Sequence, residues 1–130
     1  MSTFNAIGVA ATGVTVYRKW LDAVSDNIAN MDNVSRTSEN AFQARYVVAQ
    51  EAQDGNGAQV GGIAYGSAEG KLSYEPDNPL ADTEGYVRRP DIDLGSQMAQ
   101  MMMAQRAYQA NLSVVDRARD SYTAAINLGK

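Results

Sequence analysis

The sequence predicts a mainly α-helical protein of the α+β class, in which two long terminal helices pair as an antiparallel coiled coil around a small β-rich insert. Three observations predict this fold class: an apolar heptad at the front, another at the back, and a glycine- and proline-rich middle with strand-like alternation. An apolar repeat of seven residues holds a seam against a partner helix. The two ends are therefore expected to pair with each other or with neighbouring copies.

The front of the chain carries the first heptad. Seven-residue steps join Ile7, Val14, Leu21 and Ile28, and three residues after each lie Ala10, Tyr17, Val24 and Met31. The pattern predicts a helix from about Thr3 or Phe4 to about Asn30. Gly8 and Gly13 each cost about 1 kcal/mol relative to Ala in a helix interior. We therefore expect this helix to be marginal alone and to admit another backbone very close when packed.

The middle of the chain is predicted to form loops and short strands. Asn27, Asn30 and Asn33 are expected to end the first helix, because Asn competes with the backbone for hydrogen bonds. Alternation of side chains over residues 41–52 predicts a half-buried strand. Further elements are expected in chain order: a polar loop at 31–40, a glycine-rich loop at 54–62, short strands at 62–66 and 71–75, a proline-bracketed turn at 76–79 and an extended segment at 86–90.

The back of the chain carries the second heptad. The spacing 4, 3, 4, 3 joins Leu94, Met98, Met101, Gln105, Tyr108, Leu112, Val115, Arg119, Tyr122 and Ile126. It predicts a helix over residues 94–128, opened by acidic residues at 91–93 and closed by Gly129. This helix exceeds the first by about eight residues, and its overhang of roughly 12 Å is expected to dock on adjacent subunits.

The predicted organisation is one discontinuous terminal-helix domain, residues 1–30 and 91–130, with residues 31–90 as the extended and β-rich insert. The net charge of −4 argues against a nucleic-acid surface, which needs clustered cations. No window approaches the ~20 apolar residues of a membrane span, and no secretory signal peptide is visible. The basic pairs at 18–19 and 88–89 are expected to be solvated or in rim ion pairs.

The residue types argue against an enzyme. The chain has no His and no Cys, which removes the commonest general base and the usual metal ligands. Six acidic residues cluster in a polar, proline-bounded stretch without an apolar pocket: Glu75, Asp77, Asp82, Glu84, Asp91 and Asp93. Neither a calcium-loop nor a phosphate-loop spacing is present. No catalytic, cofactor-binding or metal-binding residue is predicted, Met98 and residues 101–103 are expected to pack in a core, and Trp20 is expected to be either a core residue or an inter-subunit anchor.

Three blocks of sequence match a known family. They are SDNIAN at 25–30; YEPDNPLAD at 74–82 with EGYV at 84–87 and Pro90; and RAYQANL at 106–112. With the terminal helices, these blocks give the whole chain a sequence that resembles the flagellar basal-body rod proteins, and in particular those of the proximal rod. Residues 31–37, MDNVSRT, lack the Thr-Pro-Gly-Tyr continuation of hook and distal-rod relatives.

The resemblance implies a structural subunit of the rod that polymerises through its terminal helices and transmits torque across the periplasm. It also implies export through the flagellar type III apparatus without a cleaved signal peptide. The implied partners are other rod subunits and the rod base at the inner-membrane ring, without nucleic acid or a membrane span. A small secreted helical-hairpin effector or adaptor is the alternative that two amphipathic helices leave open.

The seams and the matching blocks together predict the residues that carry assembly. On the helices these are Ile7, Val14, Leu21, Asn27, Ile28, Asn30, Met101, Tyr108, Asn111, Leu112, Val115, Tyr122 and Ile126, and in the insert Tyr74, Pro76, Pro79 and Tyr86.

Overall fold

The computed structural model describes residues 3–129. Residues 1, 2 and 130, which the predicted terminal domain includes, lie outside the described residues. The elements in chain order are α1 (Thr3–Ala29), β1 (Arg45–Glu51), β2 (Ala58–Tyr65), β3 (Lys71–Tyr74), β4 (Tyr86–Arg89) and α2 (Leu94–Leu128). The predicted α+β class with two long terminal helices is confirmed, and both helices have the predicted extent to within a residue.

The two helices pack side by side in opposite directions. Four contacts, taken from the start of α1 to its end, define the pairing: Phe4 with Tyr122, Gly13 with Asn111, Trp20 with Gln100, and Asn27 with Gln97. The antiparallel arrangement follows directly from this order. Beyond the contact at Tyr122, residues 123–128 extend past the start of α1 by about 9 Å.

The helix ends are set by local hydrogen bonds. The Asp93 carboxylate accepts a hydrogen bond from the Ser96 N–H at 2.7 Å and caps the start of α2, as the acidic opening predicts. The end of α1 differs from the prediction, because Asn27 lies within the helix and Asn33 beyond it. Of the three side chains, that of Asn30 bonds back to the helix end, where its amide donates to the Asp26 carbonyl at 2.8 Å.

Strands β1 and β2 form an antiparallel hairpin that lies along α1. Arg45 pairs with Tyr65 at the base and forms an ion pair with Asp26 of α1 at 2.8 Å. At the tip, the Ala58 N–H donates to the Thr12 hydroxyl at 3.1 Å. Gly57, with φ of +109°, lies against the same Thr12 side chain. From its base to its tip, the hairpin therefore runs from the end of α1 towards its start, and it is fixed to α1 at both ends.

The hairpin corrects two predictions. Strand β2 begins at Ala58, inside the predicted loop 54–62, because its ladder with β1 continues to the pair Glu51–Ala58. The register shifts between Val48 and Ala49 and leaves Gly61 without a partner in the ladder, but pairing resumes at Val60. A glycine at such a bulge interrupts a strand without ending it. Strand β1 starts at Arg45 rather than at residue 41, and of its residues only Val47 is half-buried. The predicted half-buried strand is thus wrong, since every other residue of β1 is exposed.

Strands β3 and β4 form a second antiparallel hairpin. Its anchor is Arg88, whose guanidinium donates to the Thr37 and Glu69 carbonyls at 2.8 and 2.6 Å. The Arg88 backbone also exchanges two hydrogen bonds of 2.9 Å with Ser35. The expectation of a solvated or rim-paired residue is therefore wrong for Arg88, which holds loop 31–40 against β4. Its neighbour Arg89 does form an ion pair, with Glu75 at 2.7 Å.

Two glycines of α1 allow the tightness of the helix pair to be tested. A Cβ at position 13 would lie 2.7 Å from Asn111 Oδ1, whereas one at position 8 would have nothing within 4 Å. Gly8→Ala should raise the free energy of unfolding by up to about 1 kcal/mol through helix propensity. The free energy of unfolding of Gly13→Ala should be about 1–3 kcal/mol lower than that of Gly8→Ala, because Asn111 must move.

Urea unfolding of both variants measures the difference. Asn111→Ala in the Gly13→Ala background should recover part of the deficit. Equal gains for the two single variants would contradict the close packing of Gly13 against α2.

Candidate assembly surface

A fully buried amide joins three elements at one end of the molecule. The Asn27 side chain has no exposed surface. Its Nδ2 donates to the Arg45 carbonyl at 2.9 Å and to Gln97 Oε1 at 3.0 Å, and its Oδ1 accepts from the Arg45 N–H at 2.8 Å. Because a buried polar group without partners is costly, these bonds fix α1, β1 and α2 relative to one another. We call Asn27, Arg45 and Gln97 the Asn27 network.

A row of residues on α2 faces α1 along the pair. This inner row is buried or half-buried and consists of Gln97, Met101, Ala104, Tyr108, Asn111, Val115 and Ala118. Several members are small or polar, and Ala104 is completely buried. Small side chains allow the backbone of α1 to approach closely, as Gly13 does at Asn111. The contact between the helices is therefore closer than a seam of large apolar residues would give.

A second row, parallel to the inner one, has no such cover. This outer row consists of Met98, Gln105, Leu112, Arg119 and Ile126, spaced by seven residues and all exposed. Met98 is 53% exposed, Leu112 38% and Ile126 46%. The predicted heptad of α2 is therefore split in the structure. Met101, Tyr108 and Val115 belong to the inner row, whereas Leu94, Tyr122 and the apolar members of the outer row are exposed.

The predicted residues of α1 lie on the flank of the helix pair. Ile7, Val14, Leu21 and Ile28 are all half-buried, as is Asn30. The buried positions of α1 are Ala10, Val16, Ala23, Val24 and Asn27. Of the predicted heptad, Ala10 and Val24 lie on this buried line, whereas the set from Ile7 to Ile28 lies beside it. Asn27 is enclosed within its own chain rather than offered to a neighbour.

The predicted residues of the insert come together at one end of the second hairpin. Tyr74 and Tyr86 pair across β3 and β4, with ring centroids 5.3 Å apart in an edge-to-face arrangement. Tyr74 is 65% exposed, and Pro76 and Pro79 in the following turn are exposed as well. Between Cα atoms, no strand of this hairpin comes within 8 Å of a helix in the described part of the chain.

Several residues that build these surfaces were not singled out from the sequence. Asn111 is one of the predicted assembly residues, but Gln97 and Ala104, which precede it at seven-residue spacing, are not. This spacing is the signal of the inner row, and a pattern of large apolar residues does not include it. Thr12 and Arg45, which fix the hairpin to α1, have no comparable signal. Trp20 is half-buried, stacks on Tyr17 at 6.0 Å and donates to Gln100 at 3.4 Å.

The acidic residues of the insert serve turns and ion pairs. Hydrogen bonds from Arg89, at 2.7 Å, and from Asn78 lower the pKa of Glu75 from its ordinary 4.5 to about 2. The Tyr86 N–H lowers the pKa of Asp82 in the same way. Asp91, 2.6 Å from Lys71, raises the pKa of that lysine. Each of these pKa shifts arises because a neighbouring group stabilises the charged form. Glu75, Asp82 and Lys71 therefore act as fixed charges in the insert.

Neither a cluster of metal ligands nor a membrane-spanning helix occurs among the described residues. Among residues 3–129, no three carboxylates lie close enough together to hold a metal ion. In the same range, neither helix combines the length and hydrophobicity that crossing a membrane requires.

Comparison with known proteins places these surfaces in context. The chain is 33% identical to the flagellar basal-body rod protein FlgC of Salmonella typhimurium over 134 aligned residues, which cover all of both chains. This chain belongs to the FlgC family of flagellar basal-body rod proteins. The FlgC of Bacillus subtilis is 27% identical, again over the full length of both chains. The FlgC of Borreliella burgdorferi is 30% identical over 97% of each chain.

A family model for the C-terminal region of the FlgEFG basal-body rod proteins matches residues 83–128. This range contains β4 and the whole of α2, and so both rows. The prediction of a structural rod subunit in the flagellar basal body is confirmed, and the effector or adaptor alternative has no support. FlgC is a family of structural rod proteins rather than of enzymes.

The Asn27 network can be tested by a single truncation. Asn27→Ala would leave buried partners on Arg45 and Gln97 without hydrogen bonds, each costing about 1–3 kcal/mol. We expect the free energy of unfolding to fall by about 3 kcal/mol in urea titrations. The exposed Asn33 provides the control, since Asn33→Ala should change the free energy of unfolding by about 0.5 kcal/mol or less. Similar small effects at both positions would contradict the structural role of the network.

The ion pair of Glu75 gives a pH-dependent prediction. Because the pKa of Glu75 is lowered to about 2 in the folded chain, its stabilising effect is present above its ordinary 4.5 and is lost as the pH falls from 4.5 towards 2. The wild-type urea midpoint should exceed that of Glu75→Gln at about pH 7, the difference should be smaller at about pH 3, and the two should converge only as the pH falls to about 2 or below. Asp77→Asn removes a charge from the same turn as a control. A constant difference between wild type and Glu75→Gln across this range would count against the ion pair.

Proposed function

We propose that this chain polymerises in the proximal rod through the outer row of α2, while the inner row holds α1 within the same subunit. The observation that carries the proposal is that Met98, Leu112 and Ile126, which occupy alternate positions of a row with a seven-residue period, are exposed in the single chain. A seven-residue period keeps these apolar side chains on one line of the helix, where they can pack against another helix. Since α1 covers only the inner row, the outer row is available to a helix of a neighbouring subunit.

The energetics favour such a contact. Full burial of a large apolar side chain stabilises by about 1.5–3 kcal/mol, so three such residues supply several kcal/mol per neighbour. Gln105 and Arg119 interrupt the row with polar groups, which favour one register over others. In this proposal, residues 1–30 and 91–130 line the inside of a tube and residues 31–90 lie outside, where the exposed end of the second hairpin, with Tyr74 and Pro76, contacts neighbours.

We further propose which partners the subunit contacts and by which route it is exported. The neighbours are other rod subunits, with the rod base at the inner-membrane ring at one end, and the assembled tube transmits torque across the periplasm. Export proceeds through the flagellar type III apparatus without a cleaved signal peptide. The likeness to FlgC proteins along the full chain supports this route, and the glycines of α1, which weaken its helix, suit a chain that is threaded unfolded.

A charge placed in the outer row tests the proposal. Leu112→Asp should reduce incorporation into purified basal bodies by at least about tenfold, because it removes the burial of one large apolar side chain and desolvates a carboxylate. Quantitative immunoblotting of basal bodies against whole cells measures the ratio. Gln109→Asp makes the same change of charge at an exposed position off both rows and should leave incorporation intact. Normal incorporation of folded Leu112→Asp would refute the role of the outer row.

A further inference from the structure

The turn at the tip of the first hairpin carries an Asn-Gly pair. Residues 54–57 read Asp-Gly-Asn-Gly, and Asn56 is exposed in this turn between β1 and β2. Of all the asparagines in the sequence, Asn56 alone is followed by Gly. The amide nitrogen of the residue after an asparagine can attack the side-chain carbonyl, and a glycine has no Cβ to obstruct this approach. The residue types at the tip are therefore those of a self-modifying site.

The hydrogen bonds of the tip leave the reacting groups accessible. Among residues 3–129, the Gly57 N–H donates no hydrogen bond to another residue, whereas the Gly57 carbonyl accepts one from the Ala52 N–H at 3.0 Å. The Asn56 carboxamide bonds only within the turn, from Nδ2 to the Asp54 carbonyl at 3.2 Å, and water can replace so exposed a bond at little cost. Neither the attacking nitrogen nor the carboxamide is held by another element.

The neighbouring positions lack this combination. The preceding pair, Asp54 and Gly55, has the same spacing, but the Gly55 N–H donates to the Ala52 carbonyl at 2.8 Å. The Asp54 carboxylate is also charged, which makes its carbon a poor target for a nucleophile. Asn33 is exposed as well, but the branched Cβ of Val34 crowds the nitrogen that would attack it. The sequence and the hydrogen bonds together single out Asn56.

We propose that Asn56 deamidates spontaneously in the folded chain and gives a mixture of aspartyl and isoaspartyl products. The Gly57 nitrogen loses its proton and forms a bond to Asn56 Cγ, the bond from Cγ to Nδ2 breaks, and ammonia leaves with that proton. The product is a succinimide ring, and water then adds to one of its two carbonyls and breaks the C–N bond there. Water is the one co-reactant, and nothing is oxidised or reduced.

The two ring openings have different structural consequences. Opening at Cγ restores the ordinary backbone and places an aspartate at position 56. Opening at the main-chain carbonyl routes the backbone through Cβ and Cγ, which adds one carbon to the chain directly before Gly57. In both products a new carboxylate stands near the exposed Glu51 and Asp54, where like charges repel.

The added backbone carbon falls where the tip is fixed to α1. Gly57 has φ of +109° and lies against the Thr12 side chain, and the next residue, Ala58, donates its N–H to the Thr12 hydroxyl at 3.1 Å. A longer chain between Asp54 and Gly57 cannot keep both contacts in this close packing. The isoaspartyl product therefore releases the hairpin tip from α1.

The base of the hairpin keeps its attachment. Arg45 remains bonded to Asn27 and paired with Asp26, so the modified hairpin is held at its base alone. Loss of ammonia makes the change one-way. Asn56 belongs to neither row of α2, so this inference goes beyond the proposed function and does not depend on it.

Peptide mapping of the purified full chain, incubated at about pH 7 and about pH 8, tests the reaction. Conversion at Asn56 should exceed that at Asn33 by at least about tenfold, because Val34 crowds the nitrogen there. It should rise about tenfold per pH unit, as the ionised fraction of the attacking amide does. Asn56→Gln should abolish it, since the longer side chain closes a less favourable ring. Equal conversion at Asn56 and Asn33, or conversion at Asn56 only in the urea-unfolded chain, would overturn the inference.

Hydrogen exchange at the tip tests the consequence. In the isoaspartyl form, separated by chromatography, peptides covering residues 52–60 should exchange at least about tenfold faster than in the unmodified chain. Thr12→Val removes the acceptor of the Ala58 N–H and gives the exchange rate of a released tip. Freshly purified Asn56→Asp adds the charge without the extra carbon and should keep most of the protection. An isoaspartyl form as protected as the unmodified chain, or equal loss in Asn56→Asp, would overturn release by the added carbon.

Discussion

The arrangement of the helices and the first hairpin depends on one buried amide. Asn27 satisfies its carbonyl and its NH₂ group only when the start of β1 and the first turn of α2 lie where Arg45 and Gln97 are found. A shift of any of the three elements would leave buried polar groups without partners, at about 1–3 kcal/mol each. The network therefore sets the register of the helix pair, and the later contacts, down to Phe4 against Tyr122, follow from it.

The helix pair becomes less enclosed with distance from this network. Near it, Val24 and Ala104 are completely or almost completely buried. At the far end, every described residue of α2 beyond Ala118 is exposed, and the apolar ones there contribute no burial to the single chain. Local stability is expected to fall in the same direction, since few buried contacts mean easy local opening. A fold fixed at one end and open at the other suits a subunit that completes its packing in an assembly.

Much of this fold follows from the sequence, and the failures have physical causes. Heptad spacing gives both helices to within a residue, because periodicity reports burial on one side of a long helix. It does not give the line of closest contact, since Gln97, Ala104 and Asn111 are polar or small and pack by close approach. The start of β2 does not follow from the glycine-rich pattern, because the ladder with β1 continues beyond a bulge at Gly61. Arg88 was misjudged because its partners are carbonyls from distant loops, which no local pattern reveals.

The central claim is that the Asn27 end is complete in the single chain and the far end of α2 is completed by neighbours. Amide hydrogen exchange, followed by mass spectrometry in the purified chain and in intact basal bodies, tests it most directly. Peptides around Asn27 and Gln97 should be protected in both states, whereas residues 119–128 should exchange rapidly in the free chain and become protected by about tenfold or more in the rod. Equal protection of residues 119–128 in both states, or rapid exchange around Asn27 in the free chain, would contradict it.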